Sequence, residues 1–153
     1  MDNMGVAEYF RKLALISEYL KENHFKVNAY KKAHSIILDL EKPIIQYDIS
    51  SLKGIGKTIE SKINEILSTQ KLSALDKRSN EVDNQTLHII YNSNIPPRIL
   101  RKLSDTFFDS YHWKMLSNND LCKIYLSGKI KKAGVTVITI KKLESYLRKT
   151  EIL

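Results

Sequence analysis

With one cysteine in 153 residues, Cys122, the chain cannot close a disulfide on itself or build a cysteine zinc site, which fits a reducing compartment. Cys122 sits in an apolar helical pattern and reads as a small buried hydrophobe. No stretch approaches the roughly 20 consecutive apolar residues that a membrane span requires. The N-terminus also lacks a basic segment followed by an apolar run, so a soluble, intracellular protein without a membrane partner is expected. Histidine is scarce as well: His24, His34, His88 and His112 share no metal-ligand or triad spacing, and core or solvated roles account for them. Only five Gly and three Pro accompany frequent Lys, Asn and Ile, a bias of AT-rich coding sequences that hints at a viral or similarly biased genome.

The apolar content, 42%, is enough to bury a core and excludes a disordered chain. The length suits one compact domain or two very small ones. The formal net charge is +8, spread along the chain: 13 basic against 10 acidic residues up to Ser79, and 12 against 7 beyond it. A distributed basic excess suits a protein that tracks a polyanion, although solvated basic helices look similar.

The most informative stretch is Leu52-Lys-Gly-Ile-Gly-Lys-Thr-Ile-Glu-Ser-Lys-Ile63, in which Gly-Ile-Gly opens an amphipathic helix. Gly54 and Gly56 permit a tight turn with φ > 0 and leave no Cβ in the way of an approaching backbone. The free N–H groups and positive dipole end of the helix that follows then face an anion. Lys57, in the first turn, opposes that dipole, so a ligand phosphate explains it better than helix stability does. A Gly-x-Gly turn before a helix is also found as a plain connection.

The pattern returns with a period of 40 residues, at Asn94-Ile-Pro-Pro-Arg-Ile-Leu-Arg-Lys102-Leu and at Gly134-Val-Thr-Val-Ile-Thr-Ile-Lys-Lys142-Leu. Such self-similarity marks repeated supersecondary units. Asn94 can take a left-handed turn position almost as glycine does, but Pro96 has no N–H to offer and Thr136 carries a Cβ. The first hairpin is therefore expected to be the best phosphate binder, with the other two partly structural.

Periodicity predicts a first helix from about Val6 to Glu22. It also predicts a second helix capped by Asn28, burying Ala29, Tyr30, Ala33, Ile36, Ile37 and Leu40. Pro43 breaks the pattern. A short helix, Asp48–Leu52, leads to the Gly54 hairpin, and the next helix buries Ile59, Ile63, Ile66 and Leu67, completing a four-helix unit near Leu75. The polar run Asp76–Asn84 is the candidate linker. Two smaller units follow, one through Phe107, Phe108 and Trp113, the other from near Asn119 through Ala133-Gly134 into a last helix. The β-branched run Val135–Ile140 is read as helix on the repeat register alone. Phe107, Phe108 and Trp113 can stack on bases, but core packing is the commoner use of such aromatics.

Three stretches carry a family resemblance: Phe25-Lys-Val-Asn-Ala-Tyr-Lys-Lys-Ala33, Leu52-Lys-Gly-Ile-Gly56 and Lys62-Ile-Asn-Glu-Ile-Leu-Ser-Thr-Gln-Lys-Leu72. In combination and spacing they resemble the lyase-type helix-hairpin-helix domain that opens the family X DNA polymerases of the beta and lambda type. The Asn94 copy looks like the hairpin those enzymes carry in the fingers, so the likeness covers roughly residues 6 to 116. No catalytic carboxylate pair follows, so nucleotidyl transfer is not expected. The resemblance implies an all-α chain, with a polymerase-beta-like helix-hairpin-helix domain at residues 1–78 and two degenerate hairpin units at 84–153.

It implies DNA as the partner, gapped, nicked or single-stranded, alongside replication or repair proteins. Gly54, Ile55, Gly56, Lys57, Thr58, Lys26, Tyr30, Lys31, Asn94, Arg98, Lys102 and Gly134 are the expected DNA contacts. No cofactor is expected beyond a monovalent cation on the carbonyls of Leu52 and Ile55. It also implies an enzymatic alternative, abasic-site lyase chemistry, because Lys62 aligns with the family's Schiff-base lysine. An attacking amine must be neutral, so such a site has to lower a lysine pKa of about 10.4. The chain departs from the family pattern at Ser61, Thr58, Phe25 and Ala74, and Glu65 lies three residues from Lys62, where it would favour the ammonium. Lys102 and Lys142 hold the equivalent repeat position, so a phosphate-facing or surface lysine on every hairpin helix also explains Lys62. A third reading is a protein-interaction adaptor, for which an exposed apolar patch around Trp113 would be the sign.

Overall fold

The computed structural model describes all of residues 1–153 and is entirely helical. Eight α-helices are joined by short turns, four of them 3-10 turns: α1 (Asn3–Tyr19), α2 (His24–Leu38), α3 (Lys57–Thr69), α4 (Ser73–Ser79), α5 (Asn84–Asn92), α6 (Pro97–Phe107), α7 (Asn118–Leu126) and α8 (Val137–Lys149). No helix is long and apolar enough to cross a membrane. The chain forms two compact units, one of residues 1–18 and 22–78, the other of residues 19–21 and 79–153.

In the first unit, α1 buries Val6, Phe10, Leu13 and Ile16 on one face, with Ala7 and Ala14 filling the spaces between. The helix lies about three residues earlier than its pattern predicts, because the Asp2 carboxylate accepts the Gly5 amide proton at 2.8 Å and Lys21 turns left-handed, φ 60. Helix α2 also starts early. Its cap is Asn23, whose side chain accepts from the Phe25 amide, and not Asn28. The shift of register buries Val27 with Tyr30, Ala33 and Ile37, while Ala29 is exposed and Ile36 and Leu40 are half-buried.

Pro43 precedes the 3-10 turn Ile44–Gln46, and Asp48 caps a second one, Ile49–Ser51, that brings the chain to Gly54. Helix α3 buries Ile59, Ile63 and Ile66 and stops at Gln70, φ 55, whose carbonyl accepts the Tyr9 hydroxyl proton at 2.6 Å. The run Asp76–Asn84 contains the boundary between the two units, at Arg78 and Ser79, but it is ordered. Asp76–Ser79 completes α4, Arg78 grips Glu22 through two hydrogen bonds of 2.7 and 2.8 Å, Val82 is buried, and Asp83 caps α5.

The second unit packs α5 to α8 around Ile89, Leu100, Leu103, Leu121, Ile124, Leu143 and Leu147. The Asp83 carboxylate accepts both the amide and the hydroxyl proton of Thr86, whose hydroxyl also reaches the Leu116 carbonyl at 3.0 Å. Helix α7 opens with a reciprocal cap between Ser117 and Asp120. Burial opposes ionisation of Asp120, but hydrogen bonds from His112, at 2.7 Å, and from Ser117 hold its carboxyl below the ordinary range. Cys122 is half-buried and free.

Candidate nucleic-acid interface

Each copy of the repeat builds the same turn. Gly54, Asn94 and Gly134 all have positive φ, 91°, 60° and 78°, and the helices that follow begin at Lys57, Pro97 and Val137, again 40 residues apart. The apolar residue between, Ile55, Ile95 or Val135, turns inward, with Ile95 and Val135 only 2% and 6% exposed. The β-branched segment 135–140 is thus mostly helical: Thr136 accepts the Thr139 amide proton and starts α8. Gly56, in contrast, is not left-handed. Its φ of −86° and ψ of 176° are ordinary extended backbone, so only Gly54 of the first pair requires glycine for its torsion.

The three helix starts differ in what they leave open. At α3 the cap is Gly56, with no side-chain hydrogen bond, and the first intrachain bond of the turn is Glu60 N–H to the Gly56 carbonyl at 2.9 Å. The amides of Lys57, Thr58 and Ile59 therefore point out of the helix end. At α6 Pro96 and Pro97 remove two donors. At α8 the Thr136 hydroxyl already occupies the Thr139 amide, at 3.3 Å.

Around the first turn, Gly54, Gly56, Lys57 and Thr58 are exposed and Ile55 is half-buried. A Cβ on Gly54 would lie 2.9 Å from Ile36 Cδ1 and 3.0 Å from Lys32 Cε, whereas one on Gly56 would meet nothing within 4 Å. The first distance shows α2 seated on the turn. It also reveals a residue that sequence reasoning missed: Lys32 Nζ comes within 3.4 Å of that Cβ position and adds a cation at the Gly54 turn. A surface hollow of about 380 Å³ runs along α3 past Lys57, Glu60, Ser61 and Asn64, but Glu60 makes it poorer for a phosphate than the helix end.

The other predicted contacts are scattered. Lys26 lies 3.7 Å from Glu22 and Lys31 3.2 Å from Glu18, both exposed. Tyr30 is 3% exposed and belongs to the core of the first unit, so it offers no surface to a strand. In the second unit Asn94, Arg98, Lys102 and Gly134 are exposed, and Lys102 Nζ sits 3.2 Å from where a Gly134 Cβ would stand. The Leu52 carbonyl accepts the Ile55 amide proton at 3.2 Å, which leaves it one lone pair, with the Ile55 carbonyl, for a cation. No group of three or more His, Cys, Asp or Glu side chains is placed to hold a metal ion.

Lys62 is half-buried on the flank of α3. Burial, followed by the nearby cations Arg78 and Lys26, holds its ammonium below the ordinary lysine range, and Glu65 opposes them only in part. The Glu65 carboxylate is committed elsewhere: it accepts the Ser73 amide proton at 2.8 Å and so caps α4. Trp113 is half-buried, while Tyr111 and Met115, two residues to either side, are exposed. The Arg101 guanidinium lies 4.1 Å over the Trp113 ring and Tyr19 meets it edge-on, while Phe108 stacks on His112 at 4.2 Å.

Left-handed turn, inward apolar residue and a helix start, three times over, with open amides at the first, define an all-α helix-hairpin-helix architecture. Residues 1–72, just under half of the chain, match the model of a protein family described as a helix-hairpin-helix domain. The first unit therefore carries a helix-hairpin-helix domain, which points in general terms to DNA as the partner.

Proposed function

We propose that this protein binds gapped, nicked or single-stranded DNA through backbone phosphates, with the first hairpin as its main clamp, in replication, repair or packaging. The supporting observation is the set of three open amides at the start of α3, next to Lys57 and just past the Gly54 turn that Lys32 reaches, whereas α6 lacks two donors at its prolines and α8 has its Thr139 amide capped. Backbone amides and lysines carry no base code, so DNA structure and not sequence is selected. A monovalent cation on the Leu52 and Ile55 carbonyls would brace the turn. If about five phosphates are neutralised, log K falls linearly with log salt and affinity drops about five-hundredfold between 50 and 200 mM. Titrating labelled gapped DNA across that range checks this, and a flat response removes the nucleic-acid reading.

A second reading, an abasic-site lyase, is favoured by the lowered Lys62 and by the engagement of Glu65 with α4. In that reaction the neutral Lys62 amine would attack the opened sugar aldehyde and lose water to form an imine, which permits elimination of the 3′ phosphate. Borohydride reduces such an imine to a stable protein–DNA adduct. Weak or absent trapping is expected, because Ser61 and Thr58 replace groups that the resembling enzymes keep. Strong trapping that Lys62→Ala abolishes while DNA affinity holds would make the protein a lyase. Trapping that survives the substitution would move the reactive amine to Lys26 or the N-terminus.

A further inference from the structure

A small cleft in the second unit brings together residues that no single stretch of sequence associates. Its volume is about 180 Å³, the share of some six water molecules, enough for a phosphodiester group. One wall is the turn of the second hairpin, with Asn92 and Asn94; the other is α8, which contributes Lys142, Ser145, Tyr146 and Lys149. The α8 residues are spaced i, i+3, i+4 and i+7, so they share one helix face. Two lysines line the cleft and no carboxylate does. The acidic residue of α8, Glu144, is paired with Arg148 at 3.0 Å, and neither Lys142 nor Lys149 has an ion-pair partner.

The turn adds donors. Ser93 is right-handed, φ −77° and ψ −17°, and Asn94 left-handed, a succession that forms an anion-binding backbone concavity. Two of its amides are occupied, Ser93 by the Ile89 carbonyl and Ile95 by the Ser93 hydroxyl, but the Asn94 amide is not. Tyr146 closes the floor, its hydroxyl donating to Asn118 at 2.7 Å. Cations without counter-charges, neutral polar donors and no acid constitute the chemistry of a phosphate site.

We propose that this cleft, between the second hairpin turn and α8, is a separate phosphate subsite that takes a phosphodiester of the bound DNA strand. The assignment rests on the DNA-binding reading and assigns to the second unit a specific contact, where degraded hairpins alone would leave diffuse charge.

The test compares two double variants of equal charge, Lys142→Ala/Lys149→Ala in the cleft and Lys131→Ala/Lys132→Ala on the turn before Gly134, in the full chain with gapped DNA. The cleft variant should lower the salt slope by about 1.8, two contacts at about 0.9 each, and weaken binding at least tenfold near physiological salt. The turn variant should lower the slope by less than half as much. Ser145→Asp, which places a carboxylate between the lysines on an exposed position, should weaken binding as strongly as the cleft pair while the helical circular dichroism and melting temperature hold.

Equal slopes for the two double variants overturn the subsite. So does millimolar inorganic phosphate that saturably shifts the Asn94 amide resonance when gapped DNA does not, because the cleft would then serve a free phosphate. The parent reading fails differently: the wild-type protein itself would show no salt dependence. A steep wild-type slope and a weakened Gly56→Val, together with matching double variants, would remove the cleft alone.

Discussion

Replacing Gly56 by valine puts a branched side chain at the mouth of the first hairpin without touching the fold. The Gly56 torsions are open to any residue, and a Cβ there meets nothing within 4 Å, so neither strain nor a clash follows. The altered cap and the stiffer unfolded chain act in opposite directions, which keeps the net change in stability within about 1 kcal/mol. Binding should respond quite differently, since two isopropyl methyls would stand where a phosphate oxygen has to approach the Thr58 and Ile59 amides. Losing one phosphate held by charge-assisted hydrogen bonds costs about 2–3 kcal/mol, a roughly thirtyfold to hundredfold weaker complex.

Lys132→Ala is the control. It removes one of many exposed cations and should cost no more than about twofold at physiological salt. The assay is fluorescence anisotropy on gapped DNA at constant ionic strength, with circular dichroism and thermal melting run alongside. Equal losses for Gly56→Val and Lys132→Ala would refute the clamp and leave diffuse charge attraction as the mode of binding.

Gly54→Val should unfold the first hairpin where Gly56→Val does not, because φ is 91° and the new Cβ would meet Ile36 Cδ1 at 2.9 Å; a loss of about 2–4 kcal/mol in urea melts is expected, and a variant of unchanged stability would contradict the turn geometry. Acid stability should depend on Glu22. The Arg78 hydrogen bonds hold its carboxyl below the ordinary range, so its contribution is complete above the unfolded pKa of about 4.3 and is lost as pH falls through the lower folded value. Melting temperature should therefore fall more steeply below about pH 4.3 in the wild type than in Glu22→Gln, and parallel curves would show that the pair is not coupled to folding.

The repeat was the most legible feature, because its period needs no knowledge of the fold: positions 54, 94 and 134 are the left-handed residues of their turns, including the non-glycine Asn94. Local signals failed where two candidates competed or where a distant partner decided. Asn23 and Asn28 are equally good caps by composition, and the left-handed break at Lys21 makes the nearer one the start of α2. The run Asp76–Asn84 has no apolar rhythm, yet Arg78 is anchored by Glu22, 56 residues away, a contact that no local pattern can contain. Lys32 has no local signal for the same reason, since only the seating of α2 on the Gly54 turn makes it a neighbour of that turn. The cleft was invisible because Asn94 and Lys142 belong to different copies of the repeat.

What the copies preserve and what they lose suggest different constraints on each. All three keep the left-handed turn and the inward apolar residue, and Ile95 and Val135 are more deeply buried than Ile55. Burying such a side chain stabilises a fold by about 1.5–3 kcal/mol whether or not DNA is bound, so packing alone can maintain the second and third hairpins. The donors have no such support. An amide at a helix start that meets only water gains little from staying open, and Pro96, Pro97 and Thr136 are what a sequence tolerates once no phosphate has to be received there. On this argument the open start of α3, capped by glycine without a side-chain bond, forgoes a few tenths of a kcal/mol, about 0.3, and a bound phosphate is the group that offsets the loss. The exposed Val137 and Ile138 at the start of α8, 58% and 70% accessible, lie where a DNA clamp would need polar groups. Phosphate contacts in the second unit would then fall to side chains away from the hairpin tips, which is where Lys142 and Lys149 stand.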